Sequence, residues 1–290
     1  MRRLLLASVV LAAMLASASS ASAALTGEWT KFAKCPTGNP SVELCVYANT
    51  TSGSFKMGQK TVPIVKPVVL QGGAIPVEPG NVFGALNFVA ASDGNTLSKT
   101  PQPVPGGLTG IVAPSWWPQI LKDLFNETIN NGFTGVTGTV ELAGPASAIK
   151  LSLVNTLTAK GVALGMPVKV KLDNPFLGSS CYIGSNSSPI QLNLTSGTTA
   201  PPPPNTPISG SPGELTTVEE GQIIAEKNNK LVDNAFSTPG ANGCGGFLFS
   251  WLVDPFVNSI VGVPSAAGTN TAILEGSTYL GEAAKVRERQ

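Results

Sequence analysis

Glycine and proline punctuate this chain closely, which predicts short elements separated by turns. There are 32 Gly and 24 Pro among 290 residues. Proline removes a main-chain donor, and glycine adds backbone freedom that strand and helix interiors avoid. Between these breaks lie short runs in which apolar residues alternate. "VELCVYANT" (42–50) alternates Val42, Leu44 and Val46, and "MPVKVKLDN" sets Val168, Val170 and Leu172 against Lys169, Lys171 and Asp173. "SSPIQLNLTSGTT" repeats the pattern with Ile190, Leu192 and Leu194, and "SGSFKMGQKTVPIV" keeps Phe55 and Met57 on one parity. A period of two marks a strand with one buried face. Further short runs ("KPVVLQGGAIPV", "NVFGALNFVAA", "VTGTVELAG", "IKLSLVNTL", "GQIIAEKNNKLVDNAF", "NTAILEGSTYLG") read the same way. Many short strands with close turn signals predict a mainly β, sandwich-like domain and not βαβ units.

Two segments break the strand pattern. In "SWWPQILKDLFNETINNGF" (115–133), Trp117, Ile120, Leu121, Leu124, Phe125 and Ile129 fall at helical spacing. Ser115 is the expected cap, Pro118 fits the first turn and Asn131-Gly132 the end. "GGFLFSWLVDPFVNSIVGV" is apolar throughout and reads as a buried helix over 247–261, broken near Pro255. Lipid contact would give the same composition, so burial and a lipid-facing position stay open there.

The chain begins "MRRLLLASVVLAAMLASASSASAALTGEW". Arg2 and Arg3 precede an apolar stretch, Leu4 to Leu15, and Ala21-Ser22-Ala23 fits a signal-peptidase site. The apolar stretch is shorter than the ~20 residues that span a bilayer. Residues 1–23 are therefore expected to be a signal peptide, placing the protein outside the cell or at its envelope. Cleavage removes two of 18 basic residues and none of 17 acidic ones, leaving a net charge of −1. That balance excludes an electrostatic partnership with nucleic acid.

In an oxidising compartment the four cysteines read as two disulfides. Three pairings are possible. Cys35–Cys45 is the favoured one, because only nine residues separate them and "PTGNP" supplies a turn, which leaves Cys181–Cys244. No histidine is present, which rules out Ser-His-Asp and Cys-His catalysis and histidine metal sites. No cofactor and no metal are expected. The Pro-rich segment 200–214 is either a linker or a loop; pairing of Cys181 with Cys244 across it favours a loop within a domain spanning 24–284. Residues 285–290 form a charged tail, expected to be exposed.

"DNPF" (173–176) recurs as "DNAF" (233–236), each followed by a Gly-rich run and a cysteine. Asp and Asn at a strand exit bond their own backbone and make a turn, and the Phe plugs the end of a sandwich. The competing readings make Asp173 and Asp233 a carboxylate pair for glycan hydrolysis, or ligands for calcium, although no dense calcium-hand loop is present. Trp116-Trp117 adds a candidate stacking or lipid-interface site, because neighbours on a helix do not share a face. With Phe125 and Phe133 nearby, the helix is placed to cover an apolar cavity between sheets, which would suit a lipid-like ligand. Trp116, Trp117, Asp173 and Asp233 are thus the candidate ligand-binding residues.

The leader, "DNPFLGSSCYIG", "DNAFSTPGANGCGG" and "VGVPSAAGTNTAILEG" together resemble exported proteins of high-GC Gram-positive bacteria. That resemblance covers most of the mature chain, brings no known activity and implies no catalytic or binding residues. The expectation is a disulfide-stapled β-sandwich-like domain with one or two packed helices. Its expected role is structural or binding, at the envelope or outside the cell, with a glycan, a lipid or an envelope component as partner. The alternatives are a secreted carboxylate hydrolase and an oligomeric envelope pore or lipid-binding protein.

Overall fold

The computed structural model describes residues 24–125, 127 and 133–290. The leader at 1–23, Ile129 and the helix end expected at Asn131-Gly132 lie outside the described residues. The strands are β1 (Leu44–Met57), β2 (Lys60–Pro63), β3 (Val68–Pro76), β4 (Ala85–Ala90), β5 (Gln102–Pro103), β6 (Thr137–Leu142) and β7 (Lys150–Ser152). They continue as β8 (Leu164–Asp173), β9 (Tyr182–Ile183), β10 (Ile190–Leu194), β11 (Glu214–Val218), β12 (Ile223–Asp233), β13 (Ala241–Asn242) and β14 (Thr271–Glu282). The helices are α1 (Gln119–Phe125), α2 (Leu153–Thr158), α3 (Gly246–Val261) and α4 (Ala283–Arg287).

The strands form one open sheet in the order β11-β12-β14-β1-β3-β4-β7-β8-β6-β5, with β10 beside β8 and β2 beside β1. All pairings are antiparallel. The sheet folds over so that the half around β12, β14, β1 and β3 faces the half around β8, β6 and β10. A bridge between Thr195 and Val232 ties the two halves at one corner. The inward faces are those that alternation marks: Leu164, Met166, Val168, Val170 and Leu172 of β8, and Ile190, Leu192 and Leu194 of β10, are buried. They join Leu44, Val46, Phe55 and Met57 of β1 in the main core.

A second, smaller core lies on the outer face of β1, β12 and β14. Trp29, Phe32, Val42, Ile223, Ala283 and Val286 fill it, with Cys35 and Cys45. Both disulfides form as the spacing predicts: Cys35–Cys45 and Cys181–Cys244, with Cα atoms 5.4 and 4.0 Å apart. The first staples the outer core, and the second lies in the main one.

Four segments depart from the sequence expectations. The first helix starts at Gln119 and not after Ser115, because Pro118 supplies the first accepting carbonyl, to Leu121 and Lys122. "IKLSLVNTL" is a strand only to Ser152. The Ser152 hydroxyl then caps a helix by accepting from the Asn155 N–H at 3.4 Å. The third correction is the apolar 247–261 segment: it is not buried. The helix runs unbroken through Pro255, and only Val257 and Val261 are inside. Phe247 (97% exposed), Leu248, Phe249, Trp251, Leu252 and Phe256 face outward. Finally, the charged tail is docked and not free: Val286 is fully buried, and Arg287 donates to the carbonyls of Thr37, Asn39 and Val42. Arg289 lies over the Trp29 ring at 4.1 Å.

Candidate functional site

Packing of the two sheet halves is incomplete, and the gap is an apolar cavity of about 130 Å³. Its one wall is Leu164, Met166, Val170 and Leu172 of β8 with Ile183 and Leu192. The other is Ala48, Phe55 and Met57 of β1 with Leu70, Leu231 and Leu274. Along β1 the lining runs from Ala48 to Met57, roughly 30 Å of strand at about 3.3 Å per residue. The cavity therefore meets β1 near both ends of that stretch, at Ala48 to Thr50 and again at Phe55 and Met57. Apolar cavities of this kind stay dry and accept apolar guests.

Polar groups are gathered at the ends. At one, Asn229 and Thr278 line the cavity, and Asn229 Nδ2 donates to Thr278 Oγ1 and to Glu226 Oε2, both at 3.0 Å. Glu226 is only 6% exposed and its Oε1 has no partner. Burial pushes its carboxyl above the usual range, against the Asn229 bond that pulls it down. The backbone explains this cluster: β1 and β12 each shift register opposite β14, at Thr50/Ser52 and Lys227/Asn229, both beside Gly276. A side chain at Gly276 would collide with the Asn49 carbonyl. The paired bulges leave room for the polar residues between the inward apolar ones.

Ser98 stands near the Asn229 end too, since its Oγ accepts from the N–H of Val69, the partner of Asn49. Lys60 lies opposite Met57 at the other end of the β1 lining, and Thr100 and Gln102 also line the cavity. Gln102 acts as a piece of strand: its Oε1 accepts from the N–H groups of Val65 and Lys66, and its Nε2 donates to the Lys66 carbonyl. Lys60 is the only charged side chain among the described residues that line the cavity. It also lines an outer cleft with Pro105, Gly110, Val112, Ser259 and Ile260. Its Nζ donates to the Gly110 carbonyl at 3.3 Å, and burial lowers its pKa. Lys60 therefore stands at the mouth, between the cavity and a cleft formed by the C-terminal end of α3 and the 105–112 loop.

The residues singled out by sequence lie elsewhere. Asp233 is 3% exposed, and its carboxylate accepts from the N–H groups of Ala235 (2.9 Å) and Asn193 (2.6 Å). Desolvation raises its pKa, and those two donors oppose the rise. Asp173 is exposed and pairs with Lys171 at 3.1 Å. The partners of the two aspartates are main-chain amides and a lysine, so neither bonds to a second carboxylate. Trp116 is 79% exposed, and Trp117 packs edge-on against it and against Phe125. Among the described residues no group of three or more His, Cys, Asp or Glu is placed to hold a metal ion.

No family model, curated protein or solved structure matches this chain. The site therefore rests on its own geometry. Sequence reading reached Phe55, Met57, Val170, Leu172 and Leu192 as inward residues. It also expected the 115–133 helix to cover an apolar cavity between sheets, but none of that segment's described residues lines this one. Lys60 carried no signal, because its position depends on Gly110, fifty residues away, and on the end of α3.

Several stretches of the surface are apolar. Ile111 and Val112 are exposed in the loop that borders the cleft, and Ile120, Leu121 and Leu124 of α1 are exposed too. The outward residues of α3 are bare as well, and so many on one helix exceed the scattered apolar exposure that is normal and mark that face as an interaction surface. Among the described residues no helix is long and apolar enough to cross a membrane.

Proposed function

We propose that this chain is an exported binding protein for a single-chain, lipid-like amphiphile. The observation that carries the reading is the apolar cavity between the sheet halves, lined along β1 from Ala48 to Met57. Its length suits a flexible chain better than a compact ring system, and it opens beside Lys60 into a cleft bordered by apolar surface. The bare faces of α3 and the 111–124 region would let the protein meet an aggregate or membrane from which such a molecule is drawn. Export rests on the leader pattern at 1–23. Asp173 and Asp233 lend no support to glycan hydrolysis, since their partners hold them as structural groups.

The test is displacement of a fluorescent polyene fatty acid, using a variant that fills the cavity. Gly138 lines the cavity, and a Cβ there meets Val104 and Val170 at an ordinary 3.6 Å. Gly138→Phe is expected to weaken binding at least tenfold, whereas Trp251→Ser on the outer face of α3 leaves equilibrium affinity unchanged. Undiminished binding by Gly138→Phe contradicts the reading. Amino-terminal sequencing of the secreted product is expected to begin at Ala24; a retained leader contradicts export.

A further inference from the structure

Lys60 is a cation without a counter-ion. Among the described residues it makes no ion pair, and its one hydrogen bond is to the Gly110 carbonyl. The cleft around it contains no carboxylate. Gln59, Thr61 and Ser259 border the same cleft, and none of their side chains is engaged in a hydrogen bond among the described residues. A half-buried ammonium that has lost part of its water, ringed by idle polar side chains, is an incomplete electrostatic arrangement. An anion arriving there would restore the lost solvation and form a charge-assisted bond, the strong kind. The cavity behind Lys60 is lined mostly by apolar side chains, so an anion at Lys60 that also reaches into it carries an apolar chain.

Resting on the cavity reading above, we infer that Lys60 is the head-group site for an anionic, carboxylate-headed single-chain amphiphile, with its chain threaded inward along β1 and β8. Gln59, Thr61 and Ser259 supply further contacts to the head. Lys60 thereby selects the charge of the ligand, and the cavity selects its shape. Burial already lowers the pKa of Lys60, in keeping with a cation that lacks a partner until the ligand arrives.

The experiment compares dodecanoate with dodecanol, which share a chain and differ in the charge of the head, by isothermal titration at pH 7. Wild-type protein is expected to bind dodecanoate more tightly than dodecanol. Lys60→Met keeps the stem of the side chain and is expected to weaken dodecanoate about tenfold, the usual scale of one charge-assisted bond, without changing dodecanol. Lys60→Arg, which keeps the charge, is expected to retain most of the dodecanoate affinity and shows that the site tolerates substitution. If Lys60→Met changes both ligands equally, or neither, the head-group assignment is overturned while the cavity reading stands. If wild-type protein binds neither ligand, or Gly138→Phe leaves both unaffected, the cavity reading falls and the assignment falls with it.

Discussion

The two Asp-Asn-x-Phe corners begin from nearly the same four residues and end on opposite sides of the protein's surface. At the 233 corner, Phe236 is buried and stacks on Phe55 with ring centroids 5.5 Å apart. At the 173 corner, Phe176 is 52% exposed and meets Phe133 edge-on at 4.4 Å. The asparagine has the same task in both: Asn234 donates to the Thr206 carbonyl, and Asn174 to those of Phe133 and Gly135. The aspartates differ, and the variable third residue explains why. Asp233 accepts from the N–H of Ala235. The equivalent position is Pro175, which has no N–H to offer. Asp173 accordingly turns outward to Lys171, and Asn174 takes over the turn by accepting from the Phe176 N–H at 2.8 Å. One missing donor shifts the turn by a residue and sends the phenylalanine outward.

The outward corner leads to the apolar surface. The Leu177 carbonyl accepts from the Gly245 N–H at the start of α3, and Asp254 holds that start from within by accepting from the N–H groups of Gly243 and Cys244. The Cys181–Cys244 bond joins the two corners. One corner closes the core, and the other supports the face that the protein leaves bare.

Substitutions at matched positions separate these roles. Phe236→Ala is expected to cost about 3–5 kcal/mol in urea unfolding, the usual cost of emptying a buried aromatic site. Phe176→Ala should cost less than about 1 kcal/mol, and equal losses would end the distinction between the corners. Replacing Cys181 and Cys244 together by alanine is expected to cost about 2–4 kcal/mol, because the bond closes a long loop in the unfolded chain. The stability loss should come with little change in ligand affinity if the cavity walls are set by the strands. Ala235→Pro removes the N–H from buried Asp233 and is expected to cost about 1–3 kcal/mol, whereas Asp173→Asn changes stability by at most about 0.5 kcal/mol.

Asp233 also predicts a pH dependence. Its folded-state pKa is raised, chiefly by desolvation, so the folded protein holds this proton more firmly than the unfolded chain. Its favourable contribution is complete below the ordinary aspartate range and is lost as pH rises through the raised value. Glu226, raised by the same cause, adds in the same direction. Glu226→Gln is expected to raise the melting temperature more at pH 7 than at pH 4; an equal rise at both would show that ionisation is not the source.

Much of this architecture was legible because its causes are local. The alternation in β8 and β10 reports directly which side chains face inward, and the spacing of Cys35 and Cys45 limits their pairing. The remainder depends on neighbours distant in sequence. Phe247, Trp251 and Phe256 have the composition of a buried helix, and they lie outside because no element among the described residues covers them. Val286 sits in a charged tail, yet Arg287 finds three carbonyls of the 37–42 segment and draws it into the outer core. The cavity is a property of the distance between two sheet halves, which no single strand encodes. Lys60 gains its meaning only from standing at the cavity's mouth.

The most direct measurement is methyl-detected NMR of the protein with stearate carrying a nitroxide at carbon 5 or at carbon 16. The predicted result is that the carbon-16 label broadens the methyl groups of Leu70 and Leu97 at the Ala48 end of the cavity, while the carbon-5 label acts nearest Val62 and Val261 at the Lys60 end. Broadening by both labels confined to Leu248, Leu252 and the exposed leucines of α1 would place the ligand on the surface and contradict a chain-binding cavity.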